Sequence, residues 1–430
     1  MKGNHRRNIL VVLALGALVG GLLTGRDLVY SLAYVLGLLI IASFAWAWAS
    51  INWLHISRLT RTRRTQVGRP LEERFTLTNT SFLPKLWLEV HDYSDLPGHF
   101  ASQVVHSIGN KEQYSWRVVT VCRQRGRYRL GPLRLNTSDP FGLFPMHREL
   151  SATTHIVVYP QTFEIHYFAL PMGILPGGDA LHRRTHHITT NVSGVRDYMP
   201  GDSFGRIHWP STARRNRLMA KEFELDPLAD IWIALDMSLW SHVAPRQQDL
   251  PEPDLDEMPW MQPDQVTMLP STEEYAVATA ASLAQYFLRQ DRAVGMLGYG
   301  QSNEIVQADR GERQLNRILE TLAVLRAKGE IPIQDMLNAE SHLFARGTTL
   351  IVVTPTSDEK WAAAARQLAR RGLRVVSVLI NGESFGDPHS SVPLANLLAA
   401  GGMVSYVINE GDDLTAVLSQ TIKKRGFVTV

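Results

Sequence analysis

Cysteine is almost absent from this chain of 430 residues. Cys122 stands alone, so no intrachain disulfide and no cysteine-based zinc site can form, and a reducing compartment suits the protein best. An excess of charge of either sign is also lacking. With 44 basic against 41 acidic residues the formal net charge is +3, too even a balance to argue for a nucleic-acid-binding protein, and no nucleic-acid partner is expected. There is no phosphate-binding loop, because Gly298-Tyr299-Gly300 lacks the further glycine and the lysine that would cradle a phosphate and reads instead as a strand ending in a turn. No serine or cysteine sits in a nucleophile elbow. Together these absences argue against an enzyme.

Long apolar runs, by contrast, are present at the N-terminus. Asn8 to Gly25 carries no charge, and neither does Leu28 to Leu54, with Arg26 and Asp27 between them. A hydrocarbon core of about 30 Å needs about 20 helical residues, so the first run is near the minimum and the second can tilt. The expectation is two transmembrane helices, about 8–25 and 28–54, inside a membrane region 1–64, with Tyr30, Trp46, Trp48 and Trp53 at the interfaces. The competing reading of the first run is a cleaved signal peptide, disfavoured because no small-x-small site follows Leu23. Lys2, Arg6 and Arg7 precede the pair and Arg58, Arg61, Arg63 and Arg64 follow it, which places both termini and the soluble mass in the cytoplasm, on the inner face of the plasma membrane.

After the basic flank, residues 65–165 alternate short β-forming stretches with turn residues: Arg74 to Asn79, Leu86 to His91, Tyr114 to Cys122, Arg127 to Leu135 and His155 to Tyr159. That spacing predicts a β-sandwich-like domain. Residues 166–226 are rich in His, Arg and Gly and read as a connecting segment of loops and hairpins, in which Asp202 or Ser203 caps a short helix running toward Trp209. From 227 to 430 the pattern changes to an α/β fold with a largely parallel sheet. Five nearly continuous apolar runs, Ile231 to Asp236, Val294 to Tyr299, Thr349 to Thr354, Arg374 to Ile380 and Val404 to Ile408, alternate with helical stripes. Ser271 with Glu274 predicts a capping box for the first of those helices. A Pro- and acid-rich insertion, 245–270, emerges after the first strand, where open α/β sheets bind ligands.

Three stretches carry a family resemblance: RGRYRLGPLRLNTSDPFGLF (Arg125 to Phe144), VRDYMPGDSFGRIHW (Val195 to Trp209) and ARRNRLMAKEFE (Ala213 to Glu224) followed by IALDMS. In combination they resemble the bacterial and archaeal domain of unknown function 58 family. The resemblance implies an N-terminal membrane hairpin and a C-terminal von Willebrand factor A-like (Rossmann-like) domain. It also implies MoxR-type AAA+ ATPases and transglutaminase-like membrane proteins as partners. It brings no defined activity. Gly205 departs from the family, which usually has Arg there.

Von Willebrand A domains often hold Mg2+ through an Asp-x-Ser-x-Ser motif after the first strand, helped by a Thr and an Asp from other loops. Here Asp236, Ser238 and Thr354 match that pattern, while Trp240 replaces the last Ser and Pro355 the strand-end Asp, with Asp358 as a substitute. The expectation is a degenerate, structural site with no cofactor and at most weak Mg2+ binding. Arg196, Asp197, Tyr198, Pro200, Gly201, Asp202, Arg206 and Trp209 form the family motif, with a structural or partner-binding role. Around it Arg196, Arg206, His208, Arg214, Arg215, Arg217 and Lys221 offer convergence on an anion, against a plainer reading in which Arg196, Asp197 and Asp202 pair internally and Trp209 packs between domains. Asp179, His182, His186 and His187 read as a solvated loop rather than a metal site.

The leading expectation is therefore a non-enzymatic, membrane-anchored scaffold or protein-interaction module. Its rivals are a metal-dependent ligand-binding A domain and an enzyme acting on an anionic substrate at the Arg/His-rich segment.

Overall fold

The computed structural model describes residues 2–170, 192–199, 207–223, 230–243 and 268–419. The chain falls into two compact units, one built on residues 1–161 and one that starts at Thr162.

The first unit opens with two helices, α1 (Lys2–Thr24) and α2 (Asp27–Ile51), that pack along each other. Both are long and apolar enough to cross a membrane: His5–Thr24 has mean hydropathy 1.9 and Asp27–Ile51 has 2.2. Their surface is unlike that of core helices, because Leu22, Leu23, Leu28, Leu38 and Ile41 all stand exposed. The second helix stops earlier than its composition predicts. Asn52 takes an extended conformation and donates its side-chain Nδ2 back to the Trp48 carbonyl at 2.7 Å, and Trp53 has φ 57°. The Lys85 ammonium, folded over the Trp53 ring at 5.5 Å, donates to the Ala49 carbonyl, where a cation satisfies an orphan acceptor and complements the helix dipole. Leu54 belongs to a strand, not to the helix.

That strand, β1 (Leu54–Thr60), begins the β-rich region, followed by β2 (Arg64–Gln66), β3 (Pro70–Asn79), β4 (Lys85–Asp92), β5 (Gln103–Ile108), β6 (Gln113–Val121), β7 (Gly126–Leu130), β8 (Leu133–Thr137), β9 (Met146–Leu150) and β10 (Thr154–Tyr159). They form three small sheets, ordered β1-β3-β6, β2-β10-β7 and β5-β4-β8-β9. The sheet region thus starts at Leu54, within the span predicted to be helical, rather than at 65. Alternation in β3 sends Phe75 and Leu77 inward against Leu88 and Val90 of β4 and Leu133 and Leu135 of β8, so two sheets share one apolar core. Arg127 to Leu135, predicted as one strand, is two. Gly131, at φ 86°, turns the chain so that β7 pairs with β10 while β8 pairs with β4 and β9, and a Cβ there would strike the Ala152 carbonyl oxygen.

In the second unit, residues from Thr162 onward already belong to the α/β part. Phe168 is buried, stacked on Tyr406 at 4.8 Å and edge-on to Phe287 at 5.8 Å. A hairpin pairs β11 (Val192–Asp197) with β12 (Met219–Phe223), flanking α3 (Trp209–Arg215). Then follow β13 (Ile231–Leu235), α4 (Thr272–Arg289), β14 (Val294–Tyr299), β15 (Asn303–Asp309), α5 (Gly311–Val324), α6 (Ile333–Ala339), β16 (Thr349–Thr354), α7 (Lys360–Arg370), β17 (Arg374–Ile380), α8 (Val392–Ala400), β18 (Val404–Ile408) and α9 (Leu414–Leu418).

The six strands from β13 to β18 make one sheet in the order β15-β14-β13-β16-β17-β18, parallel except for the antiparallel edge strand β15. Numbered within the sheet, that order is the doubly wound 3-2-1-4-5-6. Trp232 and Ala234 of β13 share a core with residues of α6, α7 and α8, and the two-residue strand period leaves the opposite face of β13 to α4. The predicted capping box is not formed. Ser271 holds the N-cap position of α4, but its hydroxyl makes no cap bond and donates to the Val243 carbonyl at 3.4 Å.

Candidate functional site

β13 and β16 run parallel in adjacent positions, with Leu235 opposite Val353, so the residues at their carboxyl ends meet. Asp236 directly follows β13 and Thr354 closes β16. Both are buried, as is Ser238. The Asp236 carboxylate is satisfied from within. Oδ1 accepts the Ser238 amide at 3.0 Å and the Ser238 hydroxyl at 2.7 Å, while Oδ2 accepts the Thr354 hydroxyl at 2.6 Å. Thr354 Oγ1 in turn accepts the Thr356 amide at 3.1 Å. The three residues singled out from the sequence are therefore brought together, as one knot across two strand ends.

Two members of the knot have no place in the Asp-x-Ser-x-Ser spacing. Ser241 Oγ lies 2.9 Å from Ser238 Oγ and donates to the Ser238 carbonyl at 3.1 Å. His242 reaches the Asp236 carbonyl with Nε2 at 2.8 Å and the Thr272 hydroxyl with Nδ1 at 3.2 Å. A turn over residues 239–241, closed by the Ser241 amide donating to the Ser238 carbonyl at 3.3 Å, delivers them, and only three-dimensional contact reveals it. Gly329 clamps the same loop: its amide donates to the Met237 carbonyl and its carbonyl accepts the Leu239 amide, both at 2.9 Å, and a Cβ on it would strike the Tyr299 carbonyl oxygen.

The donor set does not match a divalent-cation site. Mg2+ takes six oxygens in a near-octahedral shell, and among the described residues one carboxylate is the only anion beside neutral hydroxyls already engaged with one another. Trp240 points its indole into solvent, 71% exposed, and Leu239 beside it is 53% exposed. Asp358 serves its own helix, accepting the Lys360 amide at 3.0 Å and pairing with the Lys360 ammonium at 3.6 Å. Among the described residues no group of three or more His, Cys, Asp or Glu is placed to hold a metal.

The family motif falls partly outside the described residues: Pro200, Gly201, Asp202 and Arg206 lie there, as do Asp179, His182, His186, His187 and most of 245–270. Arg196 is described in its backbone, as part of β11. Asp197 forms an exposed ion pair with Arg217 at 3.1 Å, and the Tyr198 amide donates to the Leu218 carbonyl at 2.9 Å. Trp209 is 65% exposed at the start of α3, where His208 rather than Asp202 or Ser203 holds the N-cap position. His208 Nδ1 lies 2.8 Å from the Ser211 hydroxyl, and Arg214 and Arg215 are exposed. In the earlier motif Asp139 ties a turn, accepting the amides of Phe141 at 3.0 Å and Phe144 at 2.7 Å.

Sequence reasoning missed a second polar cluster, in the β-rich unit. Arg58, read as solvated or topogenic charge, has a side chain only 2% exposed. It forks onto Glu73, with Nε to Oε1 at 2.9 Å and an Nη2 to Oε2 bond at 2.7 Å, and also reaches both Asp92 oxygens at 3.3 Å. His99 Nε2 sits 3.0 Å from Asp92 Oδ2 and 3.2 Å from Glu73 Oε2, while Nδ1 meets the Thr120 hydroxyl at 2.8 Å. Burial pushes the Glu73 carboxyl up, but hydrogen bonds from His99, Arg58 and Thr60 and the Arg58 charge outweigh it and hold Glu73 at about 2. Asp92 is likewise lowered, burial being outweighed by His99, Ser94 and Arg58. His99 is raised, since the two carboxylates overcome its burial.

An apolar helix pair, a β-rich unit and an open α/β unit with a carboxylate knot at its sheet edge define the class of protein. The family model described as "Protein of unknown function DUF58" matches residues 194–249, which include the second and third motif stretches and the Asp236–Ser238 pair, so the family resemblance stands. A curated relative, the uncharacterized protein YeaD of Bacillus subtilis, is 22% identical over 213 residues, 49% of this chain and 45% of its own length. The match thus spans about half of either protein. Among solved structures, the CARDB domain of the PF1109 protein from Pyrococcus furiosus aligns with 24% of this chain and 86% of its own, at 18% identity and a TM-score of 0.19. A FixG-related protein from Vibrio parahaemolyticus aligns with 25% of this chain and 97% of its own, at 8% identity and a TM-score of 0.18. Likeness at that level bears on neither fold nor function.

Proposed function

We propose that this chain is a non-enzymatic, membrane-anchored interaction module. The two apolar helices span the plasma membrane, and both soluble units lie on the cytoplasmic face, where the α/β unit, a von Willebrand factor A-like domain, docks a protein partner of the MoxR-type AAA+ ATPase class. A transglutaminase-like membrane protein is the further partner implied by the family resemblance. The observation that carries the reading is the surface beside the knot. Asp236 is spent on internal hydrogen bonds, while Leu239 and Trp240 project from the carboxyl edge of the sheet, the edge where open α/β folds bind ligands. A solvent-facing Trp flanked by Leu is the side-chain chemistry of an interface anchor.

Burial of Arg58 does not weaken the assigned orientation, because positive charge acts on topology while the chain inserts, before β1 is paired. Affinity purification from solubilised membranes tests the proposal. Recovery of an ATPase with the native chain, and its loss with Trp240→Ala, is expected; repeated recovery of none from cells that make one overturns it. A metal-dependent A domain is the second reading, favoured by the convergence of Asp236, Ser238 and Thr354.

A further inference from the structure

The end of α2 is fixed to the β-rich unit at one well-defined place, and the side chains around that place are apolar and exposed. Lys85 donates to the Ala49 carbonyl, two residues before α2 ends, which brings the chain around Lys85 to the helix end. Those neighbours are Phe82, 77% exposed, Leu83, 50%, Leu86, 43%, and Trp87, 51%. In a regular strand Leu86 and Trp87 would point to opposite faces. Here Trp87 has φ 54° and is skipped in the pairing with β5, where Leu86 meets Ser107 and Leu88 meets Val105. The register is unchanged across that gap, with the Trp87 ring 5.5 Å from that of His106 opposite it, and both Leu86 and Trp87 are left exposed. Thr80, just before the Phe82 turn, binds the Trp53 carbonyl through its amide at 2.9 Å and its hydroxyl at 2.8 Å, a second tie to the helix end.

We propose that the Phe82–Leu83 turn and the exposed Leu86–Trp87 pair are a membrane-surface anchor, seated in the headgroup and upper acyl region of the bilayer that α1 and α2 cross. The occupant is lipid because the patch is continuous with the apolar surface of α2. Its aromatic and cationic content also matches an interfacial belt: the Lys111 ammonium lies 4.7 Å above the Phe82 ring, placed to reach lipid phosphates while its stem covers the aromatic face. A second turn stands on the same helix. Phe144 packs edge-on against Phe44 at 5.5 Å, and Phe44 precedes Ala49 by five residues, about 7 Å along the axis at 1.5 Å per residue. Phe141, 57% exposed, belongs to that same turn. The β-rich unit is thus held flat against the membrane rather than hung below it on a tether.

The inference rests on the membrane-spanning reading, and site-directed spin labelling of the full chain in lipid nanodiscs separates the two. Cys122 is fully buried, so single cysteines can be labelled on the native background. The positions are Phe82→Cys and Leu83→Cys in the patch, Leu38→Cys midway along α2, and Leu59→Cys, an exposed apolar residue of β1 five positions beyond Leu54. Collision with a water-soluble nickel chelate is expected to be several-fold lower at 82, 83 and 38 than at 59, with oxygen collision correspondingly higher. Aqueous values at 82 and 83 with lipid values at 38 overturn the anchor and leave the spanning helices intact. Aqueous values at 38 as well overturn both.

Discussion

The two units each bury carboxylates at a junction of strands, and they do so by opposite means. In the β-rich unit Glu73 and Asp92 are balanced by full charges, Arg58 and His99, on four different stretches of chain. In the α/β unit Asp236 is held by an amide and two hydroxyls, all neutral donors from its own loop and the adjacent strand end. A charge cluster of the first kind is safe only when complete, because removing one member leaves another buried and uncompensated. A neutral-donor knot degrades by one hydrogen bond at a time. The second design tolerates sequence change around it, because no buried charge is left unbalanced when a neighbour such as Trp240 or Pro355 changes.

The comparison breaks most sharply at Arg58. Arg58→Ala is expected to destabilise the β-rich unit by about 3–5 kcal/mol, because Glu73 and Asp92 lose their permanent cation in a site closed to water. Hydrogen exchange of β1 and β3 amides in the detergent-solubilised chain reads this directly; a loss under about 1 kcal/mol would show that the cluster is not complete in the folded protein.

Acidity separates the two units next. Glu73 is depressed to about 2, so its contribution is in place above the ordinary carboxylate value of 4.5 and is lost as pH falls toward about 2. At about 1.4 kcal/mol per unit that arm is about 3 kcal/mol. His99 is raised above 6.5, so its contribution is complete below 6.5 and is lost as pH rises through the folded value. Protection of β1 and β3 should therefore peak between about 4.5 and 6.5, the ordinary Glu and His values setting its edges. His99→Gln should flatten the alkaline side and shrink the acid side, because a hydrogen bond that depresses Glu73 and Asp92 goes with the ring. A profile unchanged on both sides by that substitution removes His99 from the cluster's ion balance.

How much of this was legible in the sequence follows from the same contrast. The strands that carry Asp236 and Thr354 announce themselves as continuous apolar runs, Ile231 to Asp236 and Thr349 to Thr354, whereas Asp236, Ser238 and Thr354 were singled out because they match the ligand pattern that the resemblance to von Willebrand A domains implies. Arg58, Glu73, Asp92 and His99 share no spacing, and Arg58 lies in a basic run whose flanking position suggested topogenic charge. Only the β1–β3 register, which sets Arg58 opposite Phe75 and Thr60 opposite Glu73, brings the first two together. The edge strand β15 was missed for a related reason: it is half exposed, so it lacks the unbroken apolar run by which the interior strands were found.

A smaller effect is expected at Thr354. Thr354→Val keeps the shape and removes one hydrogen bond to a buried carboxylate, at a cost of about 1.5–3 kcal/mol. Trp240→Ala should leave stability within about 0.5 kcal/mol of the native chain, since the indole is mostly in water. Urea unfolding of the solubilised chain followed by exchange in β13 and β16 measures both. Equal costs at the two positions would mean that Trp240 packs against the knot.

The smallest effect is expected from Mg2+, and it decides whether the knot is a ligand site or a fastening. A hexacoordinate cation needs oxygens at about 2.0–2.1 Å on all sides and keeps several waters. At Asp236 both oxygens already accept hydrogen bonds, Thr354 Oγ1 takes the Thr356 amide, and Ser238 Oγ meets Ser241. An entering ion would have to break these bonds for the attraction of one carboxylate, with an indole at 240 and a proline at 355 where further oxygens belong. Calorimetry of the solubilised chain should therefore show no saturable micromolar Mg2+ binding, and chelators should leave partner capture nearly unchanged. Saturable micromolar binding that disappears in a folded Asp236→Ala variant would reverse the conclusion: the neutral-donor knot would then be the resting form of a metal site, and the exposed Trp240 would lie beside a metal-borne ligand contact rather than replace it.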